Sequence, residues 1–300
     1  MFQKHTIYCL GEVLLALDAD APLAHAESFR PRLGGDAAVL AQACAAQGGR
    51  ASLLAQLGED PFGQRAASTL AAAGVDTAHT RFSRTLPTAL LFEAGGEALS
   101  YRVRTAGLQF APEQLEPGLF QPGDALLFAS SGLCDSPLRY THLAALTAAR
   151  DAGALCCYLP RLAQAAPYWP QREALCQTAL QFLDRADVLF LEESDLLLLF
   201  GSRELRTALF ALFTGHVQLI FFYKKDRIFA FTRSVMASAA KKDQSPALVL
   251  YRMEQMGIHV IDLPRLRENV LEQLLDNDAD AGSRNPDAGT ATAVTERFDP

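Results

Sequence analysis

Residues able to do chemistry fall in a few short stretches. In VIDLPRLRENV (260–270) an apolar β-branched pair is followed by Asp262, Pro264, Arg265, Arg267 and Glu268. The pair reads as a buried strand end, Asp262 as a helix cap and Pro264 as a first-turn residue. A strand end meeting a helix N-terminus is a favoured place to hold a phosphate, because backbone amides and the helix dipole point at it. Such a cradle needs glycines so that the backbone can approach the anion, and this stretch has none. Earlier in the chain, Gly34–Gly35 precede Asp36, Arg102 ends a hairpin-like stretch, and Glu192, Glu193 and Asp195 cluster before an apolar run. Carboxylates grip hydroxyls or a divalent ion, and arginines grip anions. Each group also has a plain role. Arg265 and Arg267 suit a solvated first turn, and Glu192 to Asp195 suit a cap. Asp36 and Arg102 suit an ion pair between two parts of the fold. His142, His216 and His259 have no partner spacing and read as core or surface residues.

The elements that must position these groups are legible too. Three hundred residues suit one large α/β domain or two small ones, and a hydrophobic content of 50% supports a real core. A net charge of −7 and a pI near 5.4 argue against nucleic acid or an anionic membrane as partner. No uninterrupted apolar stretch approaches the ~18 residues of a membrane span, and the N-terminal apolar run is too short for a signal peptide. The six cysteines, at 9, 44, 134, 156, 157 and 176, form no CxxC pair and have no His at zinc spacing. The expected setting is cytoplasmic and reduced.

HTIYCL (5–10) and EVLLALDA (12–19) read as strands, DAAVLAQACAAQ (36–47) as a helix, ASLLAQLG as a strand and PFGQRAASTLAAAG as a helix. TALLFEAGGEALSYRVR is a hairpin around Gly95–Gly96, with Ala89, Leu91 and Leu99 on one face and Leu90 and Phe92 on the other. DALLFAS, ALCCYL, VLFLEE, LIFFYK and HVID follow as strands, with helical stretches between several of them. That alternation implies a mainly parallel sheet with helices on both faces. SVMASAAKKDQSPAL (234–248) reads as a flexible excursion, and the chain from Asn277 onward as a disordered tail.

In this order and spacing, GE (11–12), GGDAAVLA (34–41), GGRASLLAQLGEDPFGQ (48–64), AAAGVDT (71–77) and SYR (100–102) resemble the ribokinase/PfkB-type sugar kinases, in the fructokinase and 2-keto-3-deoxygluconate kinase branch. The resemblance is strongest over 5–130 and weaker to about 275. It implies a three-layer α/β/α ribokinase-like domain over 1–282. A small β-sheet lid would come from about 12–33 and 87–104, and a disordered tail would cover 283–300. It also implies a chemistry in which an Asp at a helix N-terminus deprotonates a sugar hydroxyl. A Gly-Ala-Gly turn beside it holds the transferring phosphoryl group, with metal and nucleotide alongside.

The residues depart from that pattern. The sugar-holding Asp and Asn of the family fall on Ala16 and Val39, and its Phe-Asp-Pro-Asn-x-Arg segment on Tyr158 to Ala163. The nucleotide-side glycines fall on Lys224 and Arg227, and an Asn/Ser-x-x-Glu signature on Glu192 to Asp195. The Asp-Thr-x-Gly-Ala-Gly-Asp run aligns with Asp262 to Glu268, leaving Glu268 at the base position. A general base contributes ~10²–10⁴-fold, a role Glu268 could in principle fill, and one oxyanion donor ~10²–10³, so losing the cradle and the sugar ligands together removes most of the rate. The expectation is a pseudokinase acting as a binding, scaffold or regulatory protein, with no catalytic or cofactor residues intact. Its remaining substrate side is Gly34, Gly35, Asp36 and Arg102, with no metal site. The alternatives are an active carbohydrate kinase using ATP and Mg, with Glu268 as base, or a sensor of a sugar or phosphosugar. A homodimer through the lid, or an unidentified protein partner on the same face, is the expected assembly.

Overall fold

Each short apolar run becomes a strand, and the loops between them set the connections. The computed structural model describes residues 5–201, 205–240 and 244–276. β1 (Thr6–Leu10) leads to β2 (Leu14–Asp18), β3 (Arg30–Gly34) and the first helix, α1 (Asp36–Ala46). β4 (Arg50–Leu54) and β5 (Gln56–Gly58) precede α2 (Pro61–Ala72), whose cap Asp60 accepts a hydrogen bond from the Gly63 amide. After β6 (Arg81–Ser83), β7 (Ala89–Ala94) and β8 (Glu97–Tyr101) form the hairpin. Alternation follows with β9 (Ala125–Ala129), α3 (Pro137–Asp151), β10 (Leu155–Leu159), α4 (Leu162–Ala165) and α5 (Arg172–Leu183). Next come β11 (Val188–Glu192), α6 (Glu193–Phe200), α7 (Leu205–Ala211) and β12 (Leu219–Lys224). β13 (Arg227–Phe231), β14 (Met236–Ala240), α8 (Pro246–Gln255) and α9 (Glu268–Leu275) complete the described chain.

Eight strands make one sheet in the order β14-β13-β12-β11-β10-β9-β1-β4. It is parallel from β4 to β12, and β13 and β14 add antiparallel at the edge, so β14 runs the same way as β12. Strand alternation divides the core. Ile7, Cys9, Leu127, Cys157 and Phe221 face α1, α2, α8 and α9, whereas Tyr8, Leu10, Phe128, Tyr158 and Phe222 face α3, α5, α6 and α7. This is the three-layer α/β/α core that the resemblance implies.

A second sheet, β3-β2-β7-β8, forms the lid. Its inner face, Leu14, Ala16, Ala89 and Leu91, packs with Tyr168 from the core. The pairing sets Leu99 opposite Phe92 and Ser100 opposite Leu91, so Leu99 lies on the outer face with Leu90 and Phe92, not beside Leu91 as expected.

Two expected elements are also corrected. HVID is not a strand: Val260–Arg265 is a 3-10 helix, with the His259 amide donating to Asp262 Oδ2 at 2.9 Å. The Asp side chain offers the backbone a local turn in place of a ladder, and Ile261 is left 71% exposed. The excursion over 234–248 contains β14 and the start of α8. The small residues of β14 carry little strand signal, and pairing to β13 supplies the order. The tail 283–300 lies outside the described residues.

Candidate functional site under the lid

In a parallel sheet the residues that follow the strands collect at one end. Glu12 follows β1, Ser131 follows β9 and Arg161 follows β10. The lid strand β3 enters α1 through Gly34–Gly35, which sets Asp36 at the helix start. Gly35 has φ +90, and a Cβ there would stand 2.3 Å from the Glu12 carbonyl oxygen, so only glycine fits. Arg102 arrives from the end of β8. These residues, with Leu14, Arg32, Val39, Gln164 and Tyr168, line a cavity of about 140 Å³ between lid and core.

Charge pairs organise the cavity. Arg102 donates to Glu12 Oε2 from Nε at 2.7 Å and from Nη2 at 2.5 Å, and Nη2 also reaches the Ser131 carbonyl at 3.1 Å. Its guanidinium lies 4.4 Å from the Tyr168 ring centroid. Burial raises the Glu12 pKa and outweighs Arg102. For Arg102 burial disfavours the cation, but the Glu12 charge and hydrogen bond prevail and its pKa rises. On the other wall Arg161 Nη1 donates to Asp36 Oδ1 at 2.6 Å. Arg32 bridges Asp18 and Glu93 at the lid edge.

Asp195 has a structural task. Its two oxygens accept the amides of Leu162 (2.8 Å) and Glu192 (2.9 Å), tying the turn after β10 to the start of α6. Burial lifts its pKa to about 6 against those bonds. Among the described residues no group of three or more His, Cys, Asp or Glu could hold a metal ion.

The structure brings Gly34, Gly35, Asp36 and Arg102 together as the sequence suggested. Ala16 lies fully buried on the inner lid face, and Val39 lines the cavity, 44% exposed. Glu268 is elsewhere. The His259 ring meets His5 edge-on at 5.3 Å, and Gly257 to His259 border a small hollow with Thr6, Gly123 and Leu155, where β1, β9 and β10 begin. Five-residue strands put about 17 Å between that end and the cavity, and Glu268 opens α9 there. It is no base for a ligand under the lid. The junction at the cavity end of the sheet lies between β14 and α8, and its described residues, 244–247, include no glycine. There Ser245 caps α8 by accepting the Leu248 amide at 3.2 Å, Pro246 brings no N–H, and Ala247 is buried. Arg161, Tyr168 and the pairing role of Glu12 were missed from sequence; the arginine directly after Pro160 was the one signal available.

A PfkB-type carbohydrate kinase fold with a polar cavity under its lid is what these elements define. Residues 4–224 match the model of the pfkB family carbohydrate kinases, and the chain belongs to that family. It is 31% identical over 208 residues to a probable fructokinase-4 of Arabidopsis thaliana, covering 67% of this chain and 63% of that protein. Fructokinase-1 of Oryza sativa subsp. japonica is 35% identical over 207 residues, covering 66% of this chain and 64% of that protein. The match therefore spans less than two thirds of these relatives' length. The crystal structure of fructokinase from Xylella fastidiosa superposes with a TM-score of 0.81 at 25% identity, covering 90% of each chain.

Proposed function

We infer that this chain binds a sugar-like polyol between lid and core and acts on it as an ATP-dependent carbohydrate kinase. The convergence of Gly34, Gly35, Asp36 and Arg102 on one cavity at the ends of the parallel strands carries the binding half. Similarity to proteins named as fructokinases supports the transfer half. ATP would supply the phosphoryl group, and its phosphates suit the β12–β13 turn, where Lys224 and Lys225 stand.

One observation favours a second reading, a pseudokinase that binds without turnover and works as a scaffold or regulator. The described residues of the β14–α8 junction, 244–247, include no glycine, the Ser245 side chain takes the Leu248 amide, and Pro246 brings no N–H. A coupled ADP-release assay over a panel of sugars and sugar acids, with calorimetry on the same panel, separates the two. Ligand-dependent ADP release that is lost in Asp36→Asn supports the kinase. Binding with no ADP release selects the second reading, and no binding of any polyol removes both. A cytoplasmic setting and a homodimer through the lid belong to this proposal; among the described residues no helix is long and apolar enough to cross a membrane.

A further inference from the structure

We propose that Tyr168 is a positioning residue, the clamp that holds the lid sheet down on the core and so closes the cavity. The inference applies to a kinase and to a pseudokinase alike, and its test needs no ligand.

The inner face of the lid has little else to hold it. That face is an apolar cluster separate from the main core, made of Leu14, Ala16, Ala89 and Leu91, two of which offer only a methyl group. Among the described residues, Tyr168 is the one core side chain packed on the cluster. Leu33 packs on the main core instead, but it lies near the end of β3, at the hinge where the lid enters α1. Apolar adhesion scales with the area covered, and an element with few buried contacts to its surroundings opens at a lower free energy than the core.

The same ring holds the chain where it leaves the lid. The Arg102 guanidinium, just past β8, lies 4.4 Å from the Tyr168 ring centroid. That guanidinium is fixed on the core by Glu12 Oε2 at 2.7 Å and by the Ser131 carbonyl at 3.1 Å. One aromatic ring therefore meets both the inner lid face and the cation at the lid's exit, where a cation–π contact adds to apolar packing.

Tyr168 stands on a fixed base. At the start of its segment the Leu162 amide donates to Asp195 Oδ1 at 2.8 Å. Leu162 and Ala165 are buried in one cluster with Leu175 and Ala179 of α5. Directly after Tyr168, Trp169 Nε1 donates to the Ser130 carbonyl at 3.3 Å. Between these anchors Tyr168 is half-buried and lines the cavity. Lifting the lid breaks the contacts of this ring, and whatever enters the cavity meets it.

Thiol labelling of the full chain tests the clamp. Ala16 is fully buried on the inner lid face, so a thiol introduced by Ala16→Cys waits for the lid to lift before it reacts with iodoacetamide. Peptide mass spectrometry separates that thiol from the six native cysteines, and hydrogen exchange on the same samples reads the core strands β9 and β10. In this background Tyr168→Ala should speed labelling about tenfold or more, the scale of a cation–π contact and a partly buried ring together. Exchange in β9 and β10 should stay unchanged. Tyr168→Phe keeps the ring and should label at the rate of the parent. If Tyr168→Ala does not fold, Tyr168→Leu gives the answer, because it keeps apolar bulk but offers Arg102 no ring face, and labelling should still rise severalfold. Labelling that these two variants leave unchanged overturns the proposal, as does an acceleration that Tyr168→Phe shows equally. Faster labelling matched by faster exchange in β9 and β10 also overturns it, because Tyr168 would then serve global stability alone.

Discussion

Glu12 and Arg102 have 2% and 7% of their side chains exposed, so each has exchanged most of its water for the other. Such a pair contributes little net stability against an apolar replacement, yet losing one member strands the other charge. Glu12→Gln and Arg102→Met should each cost about 3–5 kcal/mol in urea denaturation, and the double variant clearly less than the sum. Additive losses would mean that the two do not act as a pair. His142 supplies a second test. It is packed in α3 against Phe128 and Phe182, with Nδ1 donating to the Leu138 carbonyl at 2.8 Å, and burial lowers its pKa to about 4. A depressed histidine stabilises the fold above its unfolded pKa near 6.5, and that contribution is lost as pH falls toward 4. Asp195, raised to about 6, runs the other way: its contribution is complete below about 3.9 and is lost as pH rises through 6. The stability gap between wild type and His142→Gln should therefore shrink by about 2 kcal/mol between pH 7 and pH 5. A gap that does not change with pH would show that His142 is not held neutral.

At the scale of elements, the sequence was readable wherever burial alone set the pattern. LIFFYK and DALLFAS are strands because both faces of the sheet are covered, and their continuous apolar runs say so. β14 was not readable, since Met-Ala-Ser-Ala-Ala takes its order from β13 and from α9 packed on it. VIDLPRLRENV misled in the opposite direction. Its β-branched pair looks like a strand end, but it pairs with no strand of the main sheet, and Asp262 turns the chain instead. The Gly-Gly turn of the candidate site was legible because two glycines before a helix demand a backbone reason. The pairs of Arg102 with Glu12 and of Arg161 with Asp36 join residues 90 and 125 positions apart, which local pattern cannot reveal. The turn yields its own prediction. Gly35 and Gly95 both have positive φ, but an added Cβ at Gly35 meets the Glu12 carbonyl, whereas none at Gly95 meets anything within 4 Å. Gly95→Ala should cost roughly 1–2 kcal/mol, the left-handed strain alone. Gly35→Ala should cost clearly more in thermal denaturation and should also weaken ligand binding. Equal losses would show that the approach of α1 to Glu12 is not constrained.

At the scale of the molecule, the lid has two faces and the core covers one. The outer face carries an open apolar hollow of about 320 Å³, lined by Leu23, Phe29, Leu90, Phe92, Leu99 and Tyr101. Phe92 meets Phe29 at 5.2 Å and Tyr101 at 5.8 Å, so the aromatic rings form one continuous surface. Contiguous apolar surface of this kind is uncommon on monomers, and a second copy of the same sheet offers a self-complementary cover with two-fold symmetry. Leu99 and Tyr101 are 49% and 58% exposed in the isolated chain, so lysine at both positions should leave the fold intact while opposing two like-charged faces. Leu91 is 4% exposed on the inner face, and Leu91→Lys should instead destabilise the lid by burying a charge. Light scattering at micromolar concentration should report a dimer for the wild type and a monomer for Leu99→Lys with Tyr101→Lys, whose melting temperature should stay close to that of the wild type. A wild-type monomer would sink the homodimer, and a double variant that remains dimeric would move the interface off the lid.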